Sequence, residues 1–232
     1  GTPLGRRAGC RGVSPMKTAH PVAHAAHMIP EGATLLVGGF MGVGSPLRLI
    51  DALLARGIGG FTIVNNDTAT PETGVGKLVA AGLVRRVITS HIGLNPITQK
   101  KMLAGEIEVE LVPQGTLVER IRAGGAGLGG VLTPTGVGTV AAEGKQTIEL
   151  RGKTWLVEEP IRGDFALLAA TKADYAGNLE YTMTAHNFNP VMALAAEVVI
   201  AEPDHILPVG SIPPDAVKTP GVLVDHLIER KH

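Results

Sequence analysis

The residues best placed to do chemistry come early in the chain. An apolar run over residues 33–37 leads into a loop with glycine at 38, 39, 42 and 44, and Ser45-Pro46 follows. Glycine lets backbone N–H groups approach a ligand closely and adopt positive φ. A helix opening at Ser45-Pro46 would aim the positive end of its dipole into the same space. Such a loop suits an anion, a carbonyl oxygen or the thioester of a large cofactor. The same residues equally fit a strand-to-helix turn that needs glycine only for its shape. A polar cluster, Asn65-Asn66-Asp67, follows the apolar run 61–64 and by itself reads as a turn after a strand.

Other groupings carry less. Gly125-x-Gly127-x-x-Gly130 has dinucleotide-loop spacing but follows the helical residues Ile121-Arg122 instead of a strand, which argues against nicotinamide binding. Gly76-Lys77 lacks the upstream glycine and the following Ser/Thr of a P-loop. His20, His24 and His27 are spaced to share one helix face, but no fourth ligand is near. The expectation is a solvated or half-buried first helix and no metal. His91 and His186 have no nucleophile beside them, so no hydrolase triad is expected. Glu158, Glu159 and Asp164 could act as paired acid and base, or sit in a solvated loop after a strand. Trp155 and the stripe Leu47, Ile50, Leu54 read as core.

The elements that must position these groups alternate. Thr18 can cap a helix to about 28, stopped by Ile29-Pro30, and a strand over 33–37 leads to the glycine loop. A helix over 45–56 ends at Gly57, with strands at 61–64 and 84–89. A helix over 98–104, a strand over 107–112 and a helix over 116–122 closed by Gly124-Gly125 come next. This spacing predicts βαβ units and an open, mostly parallel sheet with helices on both faces, an α/β fold. Strands at 147–150 and 154–157 flank Arg151-Gly152-Lys153 as a hairpin. Strands at 165–171 and 179–181, a helix from Asn189-Pro190 and a strand at 198–201 complete the chain around this β-rich insert.

Composition sets the limits. The 232 residues suffice for one α/β domain, taken as 16–232 with no internal boundary. Aromatics are 3% of the chain, so the core must be aliphatic. Lys plus Arg and Asp plus Glu are 21 each, a balance that gives no field to steer nucleic acid or an anionic membrane. No apolar run approaches the ~18–20 residues of a membrane span. Cys10 is the only cysteine, which excludes an intrachain disulfide and a Cys-based metal site and fits a reducing compartment. Residues 1–15 contain Arg and Gly but no acid, and read as a leader or expression remnant ahead of Met16.

The pattern Gly32-x-x-Leu35-Leu36-Val37-Gly38-Gly39-Phe40-x-x-x-Gly44-x-Pro46 resembles the first signature of family I CoA-transferases, with Glu31 where the family usually has Asp or Asn. The resemblance continues through Asn66-Asp67-Thr68-Ala69, Ser90-His91-Ile92-Gly93, Val112-Pro113-Gln114-Gly115-Thr116, the run 120–127, the run 133–139 and Asn187-Phe188-Asn189. It covers the chain from Met16 onward and is strongest to alpha subunits of the acetate/acetoacetate and butyrate–acetoacetate class. It implies a CoA-transferase fold of the NagB/RpiA-like type and a ping-pong reaction. In that reaction a glutamate attacks an acyl-CoA thioester, forming an anhydride and then an enzyme–CoA thioester that a second carboxylate resolves.

The family's nucleophile sits in a Ser-Glu-Asn-Gly-type motif of a beta subunit. Here Pro30-Glu31-Gly32 and Ala142-Glu143-Gly144 hold the only Glu-Gly pairs. The resemblance therefore implies an alpha half, inactive alone, in an alpha2-beta2 assembly of the bacterial cytoplasm. Coenzyme A is its substrate and no cofactor is permanently bound. Asn66 matches the alpha-side oxyanion donor. Gly38, Gly39, Phe40, Met41, Gly42, Val43 and Gly44 match the CoA-contact segment. The other readings are a 3-oxoadipate-type subunit, a stand-alone sugar-phosphate isomerase-like enzyme and a non-catalytic acyl-CoA-binding module.

Overall fold

A computed structural model describes residues 16–229, so the leader with Cys10 lies outside the described residues. The elements run β1 (Ala19–His20), α1 (Val22–His27), β2 (Thr34–Val37), α2 (Leu47–Arg56), β3 (Phe61–Val64), α3 (Gly76–Ala80), β4 (Val84–Thr89), α4 (Pro96–Leu103) and β5 (Glu108–Leu111). They continue with α5 (Gln114–Ala126), β6 (Val131–Thr133), β7 (Thr147–Leu150), β8 (Lys153–Glu158), β9 (Gly163–Asp174), β10 (Leu179–Glu180), α6 (Asn189–Ala195), β11 (Ala196–Leu207) and β12 (His226–Ile228).

The main sheet has the order β1-β12-β11-β9-β2-β3-β4-β5, all parallel, with β10 folded back antiparallel on β9. The central strands β2 and β3 are short, buried and mostly apolar because both faces are covered, while β9 and β11 run to 12 residues each. Alternation along β2 divides the core. Leu35 and Val37 join Ile63, Val87 and Leu167 beneath α1, α2 and α3. Leu36 joins Val64, Ile88 and Ala166 beneath α5 and α6. The expected α/β fold with helices on both faces is therefore present.

Chain order runs outward from β2 to β5, then jumps back to β9 on the other side of β2. The switch point lies between β2 and β9. In such sheets the crevice outside the carboxyl ends at this point is where ligands bind.

Several boundaries differ from expectation, each for a tertiary reason. The first helix begins at Val22, not near Thr18, because Ala19 and His20 pair with Leu227 and Ile228. Gly124 and Gly125 lie inside α5, and Gly127 closes it in the left-handed region. A Cβ at Gly124 would sit 2.0 Å from the Ile161 carbonyl oxygen, and one at Gly125 2.5 Å from Leu194 Cβ. These glycines allow close packing and do not end the helix. On α2 the buried residues are Leu49, Ile50 and Leu53, while Leu47 is exposed. Trp155 is only half-buried and donates to the Leu150 carbonyl at 3.2 Å.

The insert is an antiparallel sheet, β6-β8-β7. Arg120 of α5 ties it to the main body, with its Nε 3.8 Å from the Glu158 carboxylate of β8. Glu110 on β5 receives Arg120 of α5 at 2.6 Å and Arg86 of β4 at 2.7 Å. Burial pushes the Glu110 carboxyl up, but the two guanidiniums outweigh it and hold its pKa below the ordinary range. Arg120 also donates to the Glu159 carbonyl at 2.8 Å. Glu158 is buried and pairs with Lys145 at 2.6 Å, and Asp164 accepts the Thr34 N–H at 2.7 Å. The solvated-loop reading holds for Glu159, which is exposed in the segment after β8, but not for Glu158 or for Asp164, which lies in β9; Glu158 and Asp164 hold structure together.

Candidate active site

The loops after β2, β3 and β4 and the first turn of α5 meet at the carboxyl edge of the sheet. The turn after β3 grips the glycine loop. Asn65 Nδ2 donates to the Val37 carbonyl at 2.5 Å, while its Oδ1 accepts Asp67 N–H at 3.1 Å. The buried Asp67 carboxylate accepts Ala69 N–H at 2.7 Å and reaches across to Met41 N–H at 3.0 and 3.2 Å.

Asn66 faces away from that anchor. Its Oδ1 accepts Gln114 Nε2 at 2.9 Å and Ser90 Oγ at 3.1 Å, and its backbone oxygen accepts Ser90 N–H at 3.0 Å. The residue is 3% exposed. Its Nδ2 has no protein partner among the described residues and is not sealed from solvent. The side chain thus shows a donor outward from a nearly buried position.

The glycine segment is a small hairpin. Phe40 and Val43 exchange backbone hydrogen bonds of 3.0 and 2.9 Å, and the residues between them, Met41 and Gly42, have φ of 51° and 84°. Positive φ at both central positions is the type I′ turn that matches strand twist. Gly38 N–H donates to Leu167 O at 2.9 Å and Gly39 N–H to Asn187 Oδ1 at 3.1 Å. With Phe40, Met41 and Val43 also engaged, Gly42 and Gly44 alone of the seven keep N–H groups without a partner among the described residues. Asn187 Nδ2 holds the Val43 carbonyl at 3.1 Å, and Asn189 Nδ2 holds that of Gly44 at 3.0 Å. Phe40 and Val43 expose their side chains at the rim.

The expected use of the α2 dipole is overturned. Ser45 does not cap the helix; Pro46 occupies the N-cap position with no side-chain bond. Glu202 of β11 instead accepts Arg48 N–H at 3.1 Å and Leu49 N–H at 2.8 Å, with Arg48 Nε at 3.3 Å. A carboxylate of the chain itself occupies the positive end. Burial raises the Glu202 pKa despite the bonds from Arg48 and Leu49. Beside it, at the switch point, lies a cavity of about 220 Å³ lined by Gly42, Gly44, Leu47, Ala169, Thr171 and Glu202.

The histidines divide differently from the sequence spacing. His20 stacks on His24 at 5.1 Å and meets His226 at 5.3 Å, while His27 bonds within its own helix to Ala23 O. No grouping among the described residues could hold a metal ion. His91 is exposed, and His186 packs edge-on against Tyr181 at 5.6 Å.

Sequence reasoning singled out Asn66 and the glycine loop, and the fold brings them together through Asp67. It placed Ser90, Gln114 and Asn187 within motif segments without a role and took Asn189 as a helix cap, whereas Phe188 holds the N-cap position of α6 and Asn189 turns its amide to the glycine hairpin. Glu202 had no signal at all, since its partners lie more than 150 residues away in the chain.

Residues 19–230 match the family model described as coenzyme A transferase. The chain is 56% identical over 198 residues to the acetate CoA-transferase subunit alpha of Escherichia coli K12, covering 85% of this chain and 90% of that one. It is 47% identical over 199 residues to the acetoacetyl-CoA:acetate/butyrate CoA transferase alpha subunit of Clostridium acetobutylicum, covering 86% and 91%. Its fold is similar to that of an acyl-CoA transferase from Escherichia coli O157:H7, solved as a thioester complex with CoA, with a TM-score of 0.83 and 23% identity. That match covers 92% of this chain and 47% of the other, so the chain spans about half the length of that enzyme. No helix among the described residues is long and apolar enough to cross a membrane.

Proposed function

The chain belongs to the coenzyme A transferase family, and from that premise we propose that it is the alpha half of an enzyme moving CoA between a short-chain acyl-CoA and a 3-oxoacid or fatty acid of the acetate, butyrate and acetoacetate class. A partner beta subunit supplies the glutamate, and the assembly is alpha2-beta2. The glutamate carboxylate attacks the thioester carbonyl, the C–S bond breaks, and CoA leaves as thiolate from an acyl-glutamyl anhydride. The thiolate then attacks the glutamyl carbonyl and expels the first carboxylate, leaving a glutamyl-CoA thioester. The second carboxylate substrate reverses these steps.

Each attack places negative charge on a carbonyl oxygen, and the role of this chain is to stabilise it. The observation that carries the reading is the Asn66 carboxamide. Its oxygen is taken by Ser90 and Gln114, its NH2 lacks a partner among the described residues, and it stands beside the hairpin at the carboxyl edge. Residues 38–44 border the CoA thioester, with the Gly42 and Gly44 N–H groups as the remaining donors and the Phe40 and Val43 side chains as an apolar rim. An oxyanion donor of this kind contributes about 2.7–4 kcal/mol to transition-state stabilisation.

The test is coexpression with a beta subunit, followed by exchange between acetoacetyl-CoA and acetate. Asn66→Ala should lower kcat about a hundredfold and leave assembly intact. A normal rate would remove Asn66 from the mechanism. Turnover by this chain alone would remove the division between two subunits.

A further inference from the structure

We infer that Ser90 and Gln114 are positioning residues that fix which end of the Asn66 carboxamide meets the reacting carbonyl, an inference that rests on the reading of Asn66 as oxyanion donor. An asparagine side chain has two ends of nearly equal shape and opposite function, since NH2 donates and C=O accepts. The donor end stabilises a developing oxyanion, and the acceptor end opposes it. Nothing within Asn66 selects between them.

The selection comes from two other segments. Ser90, at the end of β4, is held to the turn by its own N–H on the Asn66 backbone oxygen at 3.0 Å. Its hydroxyl lies 2.6 Å from that oxygen and 3.1 Å from Oδ1. Gln114, the first residue of α5, brings Nε2 to within 2.9 Å of the same Oδ1. Gln114 donates to Oδ1, and the single Ser90 hydroxyl proton is shared between Oδ1 and the backbone oxygen, which leaves Nδ2 as the outward end; a turned Asn66 amide would set its NH2 against that of Gln114. Asn66 is 3% exposed, so bulk water cannot readily replace a lost partner of Oδ1. The helix carrying Gln114 is itself held by Arg120, which bonds Glu110 at 2.6 Å. The clamp therefore stands on fixed elements, as a preorganised donor requires.

The experiment uses the assembled transferase, coexpressed with its partner subunit, in acetoacetyl-CoA/acetate exchange. Variants are Gln114→Met, Ser90→Ala, Ser90→Thr, Asn66→Ala and the double variant Asn66→Ala/Gln114→Met. Gln114→Met, uncharged and of similar length, should lower kcat about tenfold with the acyl-CoA KM within about twofold of wild type. Ser90→Ala should lower kcat several-fold, and Ser90→Thr, which keeps the hydroxyl, should restore it. In the Asn66→Ala background the Gln114→Met change should cost less than about twofold more, because its effect passes through the missing amide.

A Gln114→Met effect that persists in full without Asn66, or a wild-type kcat in Gln114→Met, overturns the positioning role. A threonine variant as slow as the alanine variant overturns it for Ser90. A wild-type rate in Asn66→Ala is a distinct result that removes the oxyanion reading, and this inference with it.

Discussion

Replacing Gly38 with alanine probes how firmly the hairpin is held. A Cβ at this position would lie 1.8 Å from Asn189 Oδ1 and 2.6 Å from its Cγ, well inside the ~3.5 Å of normal non-bonded contact. Asn189 is fully buried, and its Nδ2 is held to the Gly44 and Ala185 carbonyls at 3.0 and 2.9 Å. It can move only by breaking those bonds. Overpacking and the lost hydrogen bonds together should cost about 3 kcal/mol. For a protein of this size that is a fall in Tm of about 6–12 °C. Thermal denaturation of the assembled complex at fixed concentration reads it, and the acyl-CoA KM should rise as the hairpin shifts. Asn189→Ala should cost about 2 kcal/mol alone. In the double variant the new methyl enters the vacated space, so the two costs should fall short of their sum by about 2 kcal/mol. Strict additivity, or a Gly38→Ala complex that melts with wild type, would refute the steric argument.

Three further outcomes follow from the buried charges. Burial raises the Glu202 pKa in the folded chain, so its contribution to stability is full below the unfolded value of about 4.3 and is lost as pH rises through the folded pKa. Glu202→Gln should remove a downward slope of up to about 1.4 kcal/mol per pH unit in that window, read as urea midpoints from acid to neutral pH; parallel profiles would contradict it. Burial and then His20 lower the His226 pKa, with Lys17 and His24 adding and Asp225 opposing. Its contribution is present above the unfolded value of about 6.5 and is lost as pH falls through the folded pKa, so His226→Gln should flatten the loss of stability on the acid side. Glu158→Ala leaves Lys145 and Arg120 without a carboxylate that is 2.6 and 3.8 Å from them, and should cost about 2–3 kcal/mol. Faster hydrogen exchange across β6, β7 and β8 is the expected signature, and unchanged protection would show that the pair does not anchor the insert.

What the sequence by itself determined is what depends on near neighbours. The aliphatic runs at β2, β3 and β4 and the glycines at 38–44 mark strands and a turn, because side-chain period and backbone freedom are local properties. The Arg151-Gly152 hairpin is legible for the same reason, and the long signature around 32–46 carried the family resemblance. Tertiary structure decided which groups meet. Gly124 and Gly125 look like a helix end until Ile161 and Leu194 are seen against them. Ser45 looks like the α2 cap until Glu202 arrives from β11, two strands beyond β2 in the sheet. Asn66 reads as a turn residue until β4 and α5 deliver Ser90 and Gln114 to its oxygen. Strand order is set by covering both faces of the sheet, and that order, absent from any spacing along the chain, chooses the hydrogen-bond partners at its edge.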